Sequence, residues 1–125
     1  MVIAERTLYV DVEGADVEVM ARLFAPVFEV GSWSCLTEIH WPDGVQAFTA
    51  YGFDAMQAIY LGLEVIGIHL YLSDEHKSGR LRWGDPGKGY GFPVPYNLRE
   101  DLIGDDAHFA GVTRNAPKAG SVPEV

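Results

Sequence analysis

Polar and apolar positions along the chain follow two rhythms, and the first is a period of two. From Arg6 to Val12, the residues Arg6, Leu8, Val10 and Val12 alternate with Thr7, Tyr9 and Asp11, the pattern of a strand with one buried face. A return strand follows if Gly14 and Ala15 form a two-residue loop with Gly first, as a type II′ turn prefers. That loop sets Val12 against Val17, Val10 against Val19 and Leu8 against Ala21. Ala25 to Gly31, with Pro26 near its start, has the composition of an irregular connection. Pro42-Asp43-Gly44 then predicts a three-residue type I turn with Gly in the left-handed position. Pairing outward from it, Trp41 faces Val45, Ile39 faces Ala47, Thr37 faces Thr49 and Cys35 faces Tyr51, with Trp33 near Phe53, on a largely apolar side. The wetter side carries Ser34, Leu36, Glu38 and His40.

The second rhythm is helical and runs from Tyr51 to Ser73. Asp54 and Gln57 have the spacing of a capping box, so a helix starts there. Steps of about 100° put Gln57, Tyr60, Glu64 and Tyr71 on one side, with Ile68 among them. Ala55, Met56, Ala58, Ile59, Leu63, Val65, Ile66, His69, Leu70 and Leu72 sweep the rest. So wide an apolar arc asks for a second covering layer besides a sheet, supplied by a C-terminal segment or a second subunit. Gly62 and Gly67 each cost about 1 kcal/mol against Ala inside a helix, which is consistent with close approach of another backbone or with tolerated drift. Gln57, Glu64 and His69 interrupt the run before the roughly 18 apolar residues that a membrane span needs, so a core helix is expected.

Beyond the helix, Ser73 to Gly79 is a polar surface turn, and Arg80-Leu81-Arg82-Trp83 alternates again as a fifth strand with Leu81 and Trp83 pointing into the core. Gly84 to Pro95 is rich in Gly and Pro and predicts a long ordered loop. Asn97 and Glu100 form a second capping-box pair ahead of a short helix through about Ile103, with Gly104 as its stop. The expected architecture is α+β: an antiparallel sheet of four to five strands from two hairpins, packed by one long apolar helix, plus a short C-terminal helix. Residues 1–110 form a single domain in this scheme, and 111–125 a mobile tail.

Composition narrows the partners. The chain has 125 residues, 48% of them hydrophobic, enough for a core of its own. Its net charge of −9 repels nucleic acid and anionic membranes and leaves basic proteins as fitting partners. A single cysteine, Cys35, removes any internal disulfide framework and fits a reducing compartment. The start, with Glu5 and Arg6, lacks the apolar core of a signal peptide, so a cytoplasmic location is expected.

No catalytic, metal or cofactor signature stands out. Gly84-Asp85-Pro86-Gly87-Lys88-Gly89 places Gly-Lys among glycines, but Arg82 and Gly89 stand where a phosphate-binding loop needs Gly and Ser or Thr. His40, His69, His76 and His108 are scattered, without ligand spacing. His69 falls on the apolar arc and fits a packed core residue better than a base. Cys35 and His40, five apart on one strand, point to opposite faces and cannot pair as nucleophile and base. No metal, cofactor or catalytic residue is therefore assigned.

Trp33-Ser34-Cys35, then Gly52-Phe53-Asp54-Ala55-Met56-Gln57-Ala58 opening the helix, then Trp83-Gly84 and Gly91-Phe92-Pro93, together resemble an uncharacterised family of small bacterial proteins, a domain of unknown function. The resemblance spans most of Arg6 to Phe109. It implies a bacterial source and a compact α+β domain, and it carries over no catalytic residue, because its motifs are structural.

Two functions are weighed on the residues themselves. Asp11, Glu13, Asp16 and Glu18 fall on the outward face of the first hairpin, with Asp11 opposite Glu18 and Glu13 opposite Asp16. They suit a non-enzymatic protein-binding role, regulatory or toxin-neutralising, toward a basic partner; their bland reading is a solvated edge neutralised by Arg80 or Arg82. The alternative is a small-ligand binder or enzyme with a pocket under the Gly84 to Pro95 loop, lined by Trp83, Tyr90, Phe92 and Tyr96. A homodimer through surplus helix or sheet surface is a third, structural possibility.

Overall fold

The computed structural model describes residues 1–111, with side chains to residue 108, so the 111–125 tail lies outside the described residues except for Gly111. It is an α+β fold with a six-stranded antiparallel sheet. Strand β1 (Val2–Val12) pairs with β2 (Ala15–Phe24), and both are longer than the alternating core of the sequence suggests. β3 (Val27–Glu29), β4 (Ser32–Trp41) and β5 (Gly44–Gly52) follow, then α1 (Ala55–Leu72), the one-turn α2 (Asp74–Lys77), β6 (Leu81–Arg82), a 3-10 turn at Tyr96–Asp101 and α3 (Gly104–Gly111).

Both hairpin registers differ from expectation, for different reasons. In the first, Val12 pairs with Ala15, Val10 with Val17 and Leu8 with Val19, and the turn residues are Glu13 and Gly14 at φ 52° and 88°. Positive φ at both positions is a type I′ turn, which prefers Gly second and matches the twist of the strands better than the loop expected one residue on. The slip is two places, so every side chain keeps its face. In the second, Trp41 pairs with Gly44, Ile39 with Gln46, Thr37 with Phe48 and Cys35 with Ala50. Here only Pro42 and Asp43 form the loop. That slip is one place, and it exchanges the faces of β5. Gln46, Phe48 and Ala50 turn toward the helix, while Val45, Ala47, Thr49 and Tyr51 face away from it and are exposed.

The segment expected to be irregular contains a strand. β3 pairs with Ser32, Trp33 and Ser34 of β4, through a tight turn at Val30 and Gly31 with φ 49° and 82°. A strand has two edges, and β5 takes one edge of β4 along its length. β2 and β3 therefore share the other edge end to end, with the break at Ala25-Pro26. Proline suits that break because it lacks an N–H.

The helix begins as the sequence predicts: the Gln57 amide donates to Asp54 Oδ1 at 2.8 Å, and Gln57 Oε1 reaches back to the Phe53 amide at 2.6 Å. Ala58, Gly62, Ile66 and Leu70 form its buried row over Leu23, Cys35 and Ile39. By length and composition α1 is apolar enough to cross a membrane. In this fold it lies across the sheet, where a Cβ at Gly62 would sit 3.1 Å from Leu23 and 3.3 Å from Cys35. The second covering layer is present and comes from the C-terminal segment. At Gly67 a Cβ would meet the Pro93 carbonyl at 2.6 Å, so glycine is required for close backbone approach. Consequently Tyr71, expected on the polar stripe, is only 5% exposed, whereas Met56 at the helix start is 80% exposed.

Two further corrections concern the C-terminal half. Leu81 enters the core but Trp83 does not, at 40% exposure. Asn97 and Glu100 make no cap: the 3-10 turn follows Pro95 without a side-chain hydrogen bond, and Gly104 starts a helix where it was expected to stop one.

Candidate functional site

Asp106, in the first turn of α3, is the buried polar centre of the C-terminal segment. Its Oδ2 accepts from the Tyr90 amide at 2.7 Å and the Tyr71 hydroxyl at 2.5 Å, and its Oδ1 accepts from the Gly91 amide at 2.8 Å. Two successive N–H groups converge on one carboxylate because Gly89 and Gly91 hold φ at 92° and 78°. A Cβ at Gly89 would lie 2.5 Å from the carboxyl carbon. The Tyr71 oxygen in turn accepts from the Ile103 amide at 3.3 Å. Burial, together with the hydrogen bond to Asp106, pushes the Tyr71 hydroxyl far above the ordinary tyrosine range.

Tyr90 sits edge-on to Tyr71 and places its hydroxyl 2.5 Å from His76 Nδ1. Burial raises the Tyr90 pKa, so the phenol keeps its proton; Leu81 O, at 3.5 Å, is its more distant acceptor. Burial also lowers His76, against the opposing pull of Asp101. On the outer side, Arg6 Nη1 donates to the carbonyls of Tyr90 at 3.0 Å and Gly91 at 3.1 Å. Its guanidinium lies 3.9 Å from the Trp83 ring and 4.7 Å from that of Phe92. Asp106, Tyr71, Tyr90 and one nitrogen each of Arg6 and His76 are thus engaged within the segment. Chemically the array is a clasp that fastens the loop to the sheet and helix.

The four residues expected to line one pocket are thus dispersed. Tyr90 is interior, Trp83 and Phe92 flank Arg6, and Tyr96 is 73% exposed beneath Arg99 at 3.9 Å. A cleft of about 440 Å³ does open beside the loop, with Tyr60, Pro93, Val94, Leu102 and Asp106 in its lining; of the four, Phe92 alone lines it. A more polar groove of about 450 Å³ runs between the β4–β5 turn and the end of α1, where Trp41, Asp43, Gln46, His69, Asp74 and Glu75 converge. His69 lies flat on Phe48, ring centroids 3.7 Å apart, and burial lowers its pKa. Sequence reasoning missed this groove, since it depends on the β4–β5 register that turns Gln46 toward the helix. It also missed Asp106, whose only linear signal is the Gly-Tyr-Gly run from Gly89 to Gly91.

Cys35 is buried, donates to the Phe24 carbonyl at 3.2 Å and has a pKa raised by burial. His40 lies on the opposite face, 2.8 Å from Glu38. Among the described residues no three His, Cys, Asp or Glu side chains gather to hold a metal ion.

At the first hairpin the corrected register sets Asp11 against Asp16 and Tyr9 against Glu18, and moves Glu13 into the turn. Asp16 pairs with Arg82 at 2.8 Å, and Asp11 Oδ1 accepts from the Gly14 amide at 2.8 Å. Arg80 reaches the Asp11 carbonyl at 3.1 Å. The neutralising arginines are therefore present, but they engage only one side of the patch. Glu13 and Glu18 are exposed and, among the described residues, without a salt bridge.

A helix-covered antiparallel sheet with a clasped C-terminal loop defines the class as a small α+β domain. The chain belongs to the family described as Domain of unknown function (DUF6968), which matches residues 4–94. The match ends within the clasp loop, before Asp106. No curated protein and no solved structure matches the chain.

Proposed function

We propose that this chain is a non-enzymatic protein-binding domain, regulatory or toxin-neutralising in kind, that offers the tip of its β1–β2 hairpin to a basic partner. The supporting observation is the state of Glu13 and Glu18, two exposed carboxylates without a salt bridge among the described residues, beside a third, Asp16, that is held by Arg82. A net charge of −9 draws cationic surfaces toward the molecule and disfavours nucleic acid and anionic membranes. The buried Cys35 thiol supports a reducing, cytoplasmic setting. The alternative of an aromatic ligand pocket has less support, because Tyr90 and Trp83 are committed to the clasp and Tyr96 stands apart.

Charge-matched variants test the proposal. Asp11→Asn, Glu13→Gln and Glu18→Gln together remove the hairpin charge, while Glu29→Gln, Asp43→Asn and Asp85→Asn remove the same charge elsewhere. Binding of a fluorescent oligolysine peptide at low salt is expected to weaken roughly tenfold, about 1.4 kcal/mol, in the hairpin variant and far less in the control. Equal weakening in both would show that only the overall field attracts the peptide, and the proposal would fail.

A further inference from the structure

Each exposed sheet edge carries the backbone groups that another strand could pair with, and proteins ordinarily blunt such edges by shortening or charging them. Two strands here obey that rule. β6 has two residues and ends in Arg82, and β3 has three and ends in Glu29. β5 does not. Its nine residues, Gly44 to Gly52, include no charged side chain and no proline in a chain of net charge −9, and β4 is its sole strand neighbour among the described residues.

The register identifies which groups are on offer. With Trp41 and Gly44 closing a two-residue loop, Gln46, Phe48 and Ala50 belong to hydrogen-bonded pairs with β4. The Thr37 hydroxyl, donating to the Phe48 carbonyl at 3.2 Å, confirms that this carbonyl faces β4. Val45, Ala47, Thr49 and Tyr51 alternate with these residues, so their N–H and C=O groups point out of the sheet. Above the same edge α1 sets Leu61, Val65, Ile68 and Leu72 in one row at helical spacing. Leu61 joins Tyr51 and Phe53 around a groove of about 280 Å³ at one end of the strand, and Leu72 joins Val45 around the 450 Å³ groove at the other.

We infer that the β5 edge, with the helix row above it, is the seat of a second copy of this chain, joined antiparallel about a two-fold axis at Phe48. The symmetry closes. Such pairing sets Val45 opposite Tyr51 and Ala47 opposite Thr49 of the other copy, so that every outward backbone group meets another outward group. Phe53, 94% exposed, arrives opposite Asp43, at the mouth of the groove between Val45 and Leu72. Within the strand, Gly44 to Gly52, each uncharged side chain meets another uncharged one; the nearby carboxylates, Asp43, Asp74 and Glu75, line the groove at its end. The two helices lie on one face of a continuous sheet with their apolar rows adjacent, a burial that neither achieves alone.

Sedimentation equilibrium of the full chain tests the inference. The wild type is expected to approach twice its 13.8 kDa mass as its concentration rises toward millimolar. Salt should tighten this association, because it screens the repulsion between two acidic chains; hairpin binding to a cation must weaken under the same change. The two proposals can therefore fail separately. Ala47→Lys should remain monomeric at every concentration while keeping the wild-type circular dichroism spectrum, since its side chain faces away from the helix. Thr49→Pro, which removes an outward N–H, should do the same. A wild type that stays at 13.8 kDa throughout, or an Ala47→Lys chain that dimerises as the wild type does, overturns the inference.

Discussion

Asp106 shows how much one side chain can organise. Its carboxylate satisfies two amides and a phenol within the clasp, and replacing it with Ala leaves all three without that acceptor. Each buried polar group stranded in this way costs about 1–3 kcal/mol. Asp106→Ala is therefore expected to lower urea-denaturation stability by roughly 3 kcal/mol or more, and Asp106→Asn, which keeps an acceptor, by less. A loss below about 1 kcal/mol for the alanine variant would show that the clasp bears little of the fold's stability. The imidazole beside the clasp adds a pH dependence. Burial lowers the His76 and His69 pKa values, so the folded chain favours both neutral. Below the ordinary histidine value of about 6.5 the unfolded chain takes up protons that the folded chain resists, so the stability is full above that pH and falls as pH drops through the window. Between about pH 7.5 and 5.5, the melting temperature of the wild type should fall more than that of a His69→Gln, His76→Gln double variant. Parallel profiles would contradict a neutral, buried role for these rings.

At the scale of elements, the local hydrogen bond that starts α1 was legible in the sequence, whereas the cap expected at Asn97 and Glu100 does not form and the distant bonds were not legible. The start of α1 is written in Asp54 and Gln57, three residues apart, and the structure forms that bond. The existence of the two hairpins and of β6 followed from alternation and turn residues, whereas the three-residue β3, too short to alternate, did not. Register did not, because it depends on which turn residues accept positive φ: Glu13 does, and Gly44 closes the ladder without serving as a loop residue. Asp106 was illegible for a related reason. Its partners lie 15 to 35 positions away, and no periodicity links a helix start to a glycine-flanked tyrosine. The corrected β4–β5 register can be checked covalently. With Cys35→Ser as background, cysteines at Glu38 and Ala47 form a directly opposed pair and should oxidise readily to a disulfide, whereas Glu38 with Phe48, the pair implied by setting Ile39 against Ala47, should not. The reverse outcome would restore the expected register and return Phe48 to the exposed face.

For the whole molecule, the two surfaces proposed for binding both lie at sheet edges. The aromatic side chains that sequence reasoning gathered into a pocket are spread between core, clasp and surface, and the acids that it placed on the hairpin remain partly unneutralised. The uncharged β5 edge, which the sequence disguised by one place of register, is the other offered surface. Both proposals therefore place the contacts of this domain along its edges. Amide hydrogen exchange resolved by NMR, recorded at low micromolar and near-millimolar concentration, tests this most directly. Gln46, Phe48 and Ala50 should be protected at both concentrations by their bonds to β4, while Val45, Ala47, Thr49 and Tyr51 should exchange fast when dilute and slowly when concentrated. Fast exchange at those four amides under both conditions would contradict the account.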